Sequence, residues 1–285
     1  MLPTFVIGLR EGLEAALIVG IIAAFLAKQD RRDALRQVWA GVLAAVVLCL
    51  GFGIALHAVE GTLPQREQEG LETIVGLLAV GMVTWMFLWM RKHARFMKGE
   101  LEGSASAALA RGSAGALVAM AFLAVLREGF ETAVFLVSVF GASTTPTSAS
   151  VGAVLGIAVA VGLGYALYRG GVRINLQKFF TGTGVVLIIV AAGLLMTSVH
   201  TAHEAGWVNV GQATLVDASS LVSPGTPQAA LLTGVLGIQP QPTVIEGVVW
   251  LLFVVPMLAL LLRRPRRRPA ATARTAEPAP SSVPA

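Results

Sequence analysis

Two short stretches decide how the chain folds: Arg10-Glu11-Gly12-Leu13-Glu14-Ala15-Ala16 and Arg127-Glu128-Gly129-Phe130-Glu131-Thr132-Ala133, identical at five of seven positions. Each sets three charges inside an apolar run, where an unpaired Arg or Glu costs roughly 2.5–3.5 kcal/mol on insertion scales. In a helix Arg10 and Glu14 are four residues apart, as are Arg127 and Glu131, and each pair of glutamates is three apart. One face of each helix therefore carries the whole motif, and that face must meet protein.

Outward from these stretches the chain is 55% hydrophobic and only 13% charged over 285 residues, with a mean hydropathy of +0.76. Soluble domains carry about 25% charge, so a soluble enzyme is excluded. Seven apolar runs, at 5–27, 38–59, 71–90, 114–141, 151–168, 179–198 and 244–262, are each long enough to cross a ~30 Å hydrocarbon core as a helix. An all-α integral membrane protein with seven transmembrane helices is expected.

The pI near 10 does not point to nucleic acid. Lys28, Arg31, Arg32 and Arg36 follow the first run, and Arg91, Lys92, Arg95, Lys98 and Arg111 follow the third. Arg169, Arg173 and Lys178 flank the loop after the fifth, and Arg263, Arg264, Arg266, Arg267, Arg268 and Arg274 lie in the tail, while the alternate loops hold only Arg66. By the positive-inside rule the N-terminus is outside and the C-terminus cytoplasmic, and the high Ala, Arg and Gly content leads to the expectation of a bacterial inner membrane. The first run has no basic leader and carries charge in its middle, so it reads as a span and not as a cleaved signal peptide. Cys49 alone forms no internal disulfide and no thiolate cluster.

The two motifs head a longer repeat. Gly41 aligns with Gly152, and Gly51-x-Gly53-x-Ala55-Leu56 with Gly162-x-Gly164-x-Ala166-Leu167. Two three-helix units followed by a lone seventh helix are expected, and because three is odd the second copy crosses in the opposite sense, the inverted repeat that transporters use to place a site near the midplane. The expected boundaries are repeat one 1–100, repeat two 112–198, an outer loop 199–243, the seventh helix 244–262, and a disordered basic cytoplasmic tail 263–285 held near an anionic leaflet. Gly8 and Gly12 form a small-xxx-small face expected to bring the first helix close to its relative, the fourth.

Four carboxylates and two guanidiniums sum to −2, so buried ion pairs locking the two halves leave surplus oxygen ligands. A hard cation suits them: iron(III), manganese, magnesium or calcium before copper(I). The duplicated Arg-Glu-Gly-x-Glu motif in the first and fourth of seven helices resembles the oxidase-dependent iron permease family of fungi and bacteria, across roughly residues 1–262. The resemblance implies iron import, with Glu11, Glu14, Glu128 and Glu131 as the ligands of translocating iron, Fe3+ or Fe2+, and Arg10 and Arg127 orienting those carboxylates and limiting their uptake of protons. It implies no permanently bound cofactor, no enzymatic activity, and a separate extracytoplasmic ferroxidase or periplasmic iron-handling partner; a homo-oligomer is compatible with it. The family's Asp-Ala-Ser-Glu element reads Asp217-Ala218-Ser219-Ser220 here, without its terminal acid.

A capture site at the outer mouth is expected from His57, Glu60, Glu72, His200, His203, Glu204, Asp217 and Glu246, where His200-x-x-His203-Glu204 has ligand spacing; the plainer reading is that His and Glu tolerate the headgroup zone. Glu67 and Glu69 read as solvated loop residues. Met82, Met86 and Met90 form a helical stripe explained by packing rather than by a copper(I) path, and Trp85 and Trp89 read as an inner aromatic belt. Rival readings are a carrier of lead, manganese or protons, and a non-transporting receptor or scaffold in which the charges only lock the fold. An intramembrane hydrolase has no Ser, His and Asp constellation at depth.

Overall fold

The structure is a computed structural model that describes residues 1–93, 103, 114–141, 146–169, 176–211, 213–215 and 241–262. Among these residues lie seven long helices: α1 (Leu2–Lys28), α2 (Arg32–Glu60), α3 (Gln65–His93), α4 (Ala114–Gly141), α5 (Pro146–Tyr168), α6 (Leu176–Glu204) and α7 (Val244–Leu262). The described residues contain no strand, only an antiparallel bridge between Thr214 and Thr243 that ties the foot of α7 to the segment after α6. Asp217 and the tail 263–285 fall outside the described residues.

Five of the helices, α2, α3, α5, α6 and α7, are long and apolar enough to cross a membrane. The other two, α1 and α4, are of similar length, 27 and 28 residues, and they are the pair that carries the charged motifs. Polarity is sorted inside-out. Leu43, Val47, Leu50 and Ile54 of α2, Val154 and Val161 of α5, and Leu252 and Val255 of α7 face outward, while Arg10, Glu11, Glu14, Glu128 and Glu131 are buried. Exposed apolar surface on this scale is lipid-facing surface.

Three helix pairs carry most of the packing: α1 with α5, α2 with α4, and α3 with α6, followed by α1 with α4 and α6 with α7. The first two pairs are parallel and close because small residues face each other. A Cβ on Gly8 would lie 2.8 Å from the Ala153 carbonyl oxygen, one on Gly12 would lie 2.9 Å from Ala160 Cβ, and one on Gly152 would collide with the Met1 carbonyl. In the other pair, Gly41 lies against Val118, Gly129 against Cys49 and Gly53 against Ala133. The pair α3 and α6 runs antiparallel, with the Thr73 and Thr201 hydroxyls 2.7 Å apart near one end and Gly184 beside Phe87 near the other. The main apolar core joins Ile7 of α1, Val75, Ala79 and Met86 of α3, Val134 and Phe135 of α4, and Leu187 and Leu194 of α6.

Some sequence-based expectations change. Gly8 and Gly12 face α5, not α4: they lie on a different side of α1 from the glutamates, which take the α4 side. Helices α2, α3 and α6 outrun their apolar stretches, because a helix continues into the polar zone wherever side chains can reach water. Glu67 and Glu69 accordingly belong to the first turns of α3, and 199–204 belongs to α6. That helix ends where Gly206 takes φ of +76° and donates its N–H to the His203 carbonyl at 2.9 Å, a left-handed stop that a side chain would strain. Met86 and Met90 are buried, Met86 in the main core, and Trp85 is exposed.

Backbone closeness at α1 and α5 makes a testable demand. Gly156→Val places a Cβ against the Phe5 carbonyl and 2.8 Å from Leu9 N, an overpacking expected to cost about 1–3 kcal/mol. Gly162→Val, with nothing within 4 Å of its Cβ, is expected to stay within about 0.5 kcal/mol of wild type. Thermal unfolding of the purified protein in detergent measures both.

Candidate metal centre

The charged motifs meet where α1 crosses α4. Glu11, Glu128 and Glu131 each offer a carboxylate oxygen, and the three oxygens lie within 4.8 Å of one another. All three residues are buried, and Glu14, one turn further along α1, is buried as well. The helix geometry makes this meeting possible: with Glu11 and Glu14 three residues apart on one helix and Glu128 and Glu131 three apart on the other, each helix aims two acids at a single crossing.

The arginines frame the acids from within their own helices. Arg127 Nε donates a hydrogen bond to Glu131 Oε1 at 3.0 Å and lies 3.9 Å from Glu128 Oε1. Arg10 Nε lies 3.3 Å from Glu14 Oε1, near enough for charge attraction but misaligned for a hydrogen bond, and its terminal nitrogen is 4.0 Å from Glu11 Oε1. Aromatic faces support both guanidiniums, Phe180 at 5.9 Å from Arg10 and Trp89 at 5.8 Å from Arg127. The two arginines differ in their surroundings: the Arg10 side chain is 2% exposed and that of Arg127 is 49% exposed.

Charge and hydrogen bonding both leave the centre short of positive partners. Four carboxylates face two guanidiniums, and Glu11 Oε1 and Oε2, Glu14 Oε1, Glu128 Oε2 and Glu131 Oε2 are buried without a hydrogen-bond donor. Buried carboxylate oxygens left this way cost several kcal/mol unless something compensates them. A cluster of unpartnered oxygens, with no sulfur or imidazole among them, is a donor set for a hard cation. The Cys49 thiol is directed elsewhere, 3.5 Å from the Leu126 carbonyl.

The residues expected at the mouth separate into two groups. In the first, His57 Nδ1 lies 3.6 Å from Glu60 Oε2, and Glu60 and Glu72 converge on Gly141, whose Cβ would lie 3.8 Å from Glu60 Oε1 and 3.7 Å from Glu72 Oε2. In the second, His200 Nδ1 is 3.0 Å from Glu246 Oε1 and its Nε2 is 3.6 Å from Glu204 Oε1. Glu246 also caps α7: its Oε2 accepts the Thr243 N–H at 3.0 Å, and its own N–H is donated to Thr243 Oγ1 at 3.4 Å, a capping box. His203 joins neither group, and its Nε2 is buried without a hydrogen-bond partner. The sequence alone passed over the hydroxyls of Ser138, Thr197, Ser198 and Thr201, which line a cavity with Glu60 and Glu72; hydroxyls in apolar helices are common, and nothing in their spacing distinguishes these.

The family model described as the iron permease FTR1 family matches residues 1–265. The chain is 43% identical to the ferrous iron permease EfeU of Escherichia coli O157:H7, covering 93% of this chain and 97% of the relative. It is 41% identical to the protein of the same name from Yersinia pestis, covering 93% and 95%. A relative from Escherichia coli K12, also 43% identical, is described as a putative inactive ferrous iron permease. No solved structure matches.

The unequal burial of the arginines gives an expected order of damage. Removing one partner from a buried ion pair costs about 3–5 kcal/mol, so Arg10→Gln lowers the melting temperature of the cation-free protein sharply. Arg127→Gln, at a half-exposed position, lowers it by clearly less. Unfolding curves of the two variants in chelator-treated detergent solution check the order.

Proposed function

The chain belongs to the iron permease FTR1 family, and we propose that it carries iron across the membrane, inward, with Glu11, Glu14, Glu128 and Glu131 as the transient ligands of the passing ion. The observation that carries this reading is the set of buried carboxylate oxygens with no donor at the crossing of α1 and α4. Fixed ion pairing consumes two of the four negative charges, and a passing cation answers the remainder. Arg10 and Arg127 hold the carboxylates in place and keep the net charge of the empty centre low enough for it to exist between ions. Ferrous iron is the form proposed, since the relatives are ferrous iron permeases by name and carboxylate oxygen accepts a divalent ion. A separate iron-handling partner on the outer side remains part of the proposal, as does a bacterial inner membrane.

Alternating use of the two sides follows from an inverted repeat, and the helix contacts support one. Residues of α1 and α4 correspond at an offset of 117 (10 to 127) and those of α2 and α5 at 111 (41 to 152). Under these offsets the contact of Gly12 with Ala160 becomes that of Gly129 with Cys49, Gly164 with Ala16 becomes Gly53 with Ala133, and Gly152 with Met1 becomes Gly41 with Val118. The pair α3 and α6 maps onto itself. The basic residues Lys28, Arg31, Arg32 and Arg36 sit at the end of the bundle away from Glu60 and Glu72, which supports a cytoplasmic face there and an outer face at the Glu60 end.

Iron uptake into proteoliposomes tests the reading, with ferrous and ferric iron supplied separately. Glu14→Gln and Glu131→Gln proteins that fold as wild type are expected to lose at least about tenfold in uptake rate, equivalent to about 1.4 kcal/mol or more of lost ion stabilisation. Folded variants that transport as well as wild type would instead favour the reading in which the charges only lock the helices.

A further inference from the structure

One cavity between helices is lined at its rim by Glu60 of α2, Glu72 of α3 and Gly141 of α4, and deeper by Ser138 of α4 and Thr197 and Ser198 of α6. Its floor is apolar: Val75 and Leu194 line it and also belong to the main core with Ile7, Val134 and Phe135. The position on α4 gives the cavity its meaning. Gly141, Ser138, Val134 and Glu131 are spaced at three, four and three residues along one face of that helix, so Ser138 stands two turns, about 10 Å, from Glu131. Between them lies a single turn of apolar side chains, with Ile7 placed one turn from Glu11 on the facing helix. The mouth stays open because residue 141 has no side chain: a Cβ there already touches Glu72 and approaches Glu60.

We propose that this cavity is the vestibule through which the cation reaches the carboxylate centre, with Ser138 and Gly141 as its walls and the layer of Val75, Val134, Phe135 and Leu194 as the gate that closes it in this structure. The route runs along α4 where that helix faces the packed pair of α3 and α6, and not along the tightly packed seam of α1 and α5. It needs no resident ion between Glu60 and Glu72, whose charges attract a cation into a low-dielectric funnel. This inference rests on the reading of the carboxylate centre as the transport site and adds the path to it.

The chain's single cysteine makes the path accessible to experiment. Cys49→Ala gives a cysteine-free background, and Ala160, which takes the corresponding place against Gly12, shows that alanine fits such a seam. On that background Ser138→Cys is expected to react with a membrane-impermeant maleimide added outside to intact cells, and Val134→Cys, one turn deeper, to react at least about tenfold more slowly. Ser138→Leu, which fills the cavity, is expected to reduce iron uptake at least tenfold while the detergent-purified variant still binds ferrous iron like wild type, because the centre itself is untouched. Gly141→Leu serves as a second blocking variant should Ser138→Leu fail to fold. Equal labelling at both depths, no labelling at Ser138→Cys, or wild-type uptake by a folded Ser138→Leu or Gly141→Leu protein would overturn the route. If uptake is lost in Glu14→Gln while the blocking variants transport freely, the path is wrong and the centre stands; if Glu14→Gln transports as wild type, the centre itself is wrong.

Discussion

Six charged side chains at the crossing of two helices, five of them buried, set the terms for the rest of this molecule. Each of α1 and α4 carries three charges within an apolar run, a cost in lipid that neither helix can bear alone, so each must give its charged face to the other, and the remaining helices must cover both. The structure meets that requirement with two glycine-rich seams, α1 on α5 and α2 on α4, which bring backbones close and leave the opposite faces of α1 and α4 free to approach one another. The apolar core of α3, α4 and α6 then closes over one end of the crossing. Packing and chemistry thus share one cause: the acids that make the fold costly are those left with oxygens to offer a cation.

On the proposed reading, stability and transport draw on this centre in opposite directions. If the arginines matched every carboxylate, the crossing would be a buried ion-pair network with no reason to admit an ion; with fewer cations the empty centre would repel itself apart. Two guanidiniums against four carboxylates lies between these limits. The unequal burial of Arg10 and Arg127 further implies that the two halves, though alike in sequence, do not share the work equally in the conformation described.

Much of this was legible in the sequence because the bilayer restricts the alternatives. Charges inside apolar runs must pair, so the repeated Arg-Glu-Gly-x-Glu stretches identified both the helices that meet and the residues at their meeting. The helix order and the iron permease relationship followed from the same stretches. What the sequence did not reveal was which neighbour each small-residue face selects. Gly8 and Gly12 carry no label for a partner, and they pack on α5 because the acidic face of α1 is already committed to α4. Helix ends were underestimated for a related reason: Gln65–Gly70 and Val199–Glu204 are polar or mixed, and hydropathy is silent where a helix leaves the hydrocarbon. Nor could spacing separate the mouth residues into the pair at Gly141 and the His200–Glu246 pair that caps α7, since that division depends on which helices adjoin.

X-ray absorption at the iron edge, on purified protein loaded anaerobically with one equivalent of ferrous iron, tests the central claim most directly. The account predicts a first shell of oxygen alone at about 2.0–2.2 Å, and loss of that bound iron in a folded Glu11→Gln/Glu128→Gln variant. A sulfur or imidazole contribution to the shell, or a variant that binds iron with the wild-type spectrum, would contradict it.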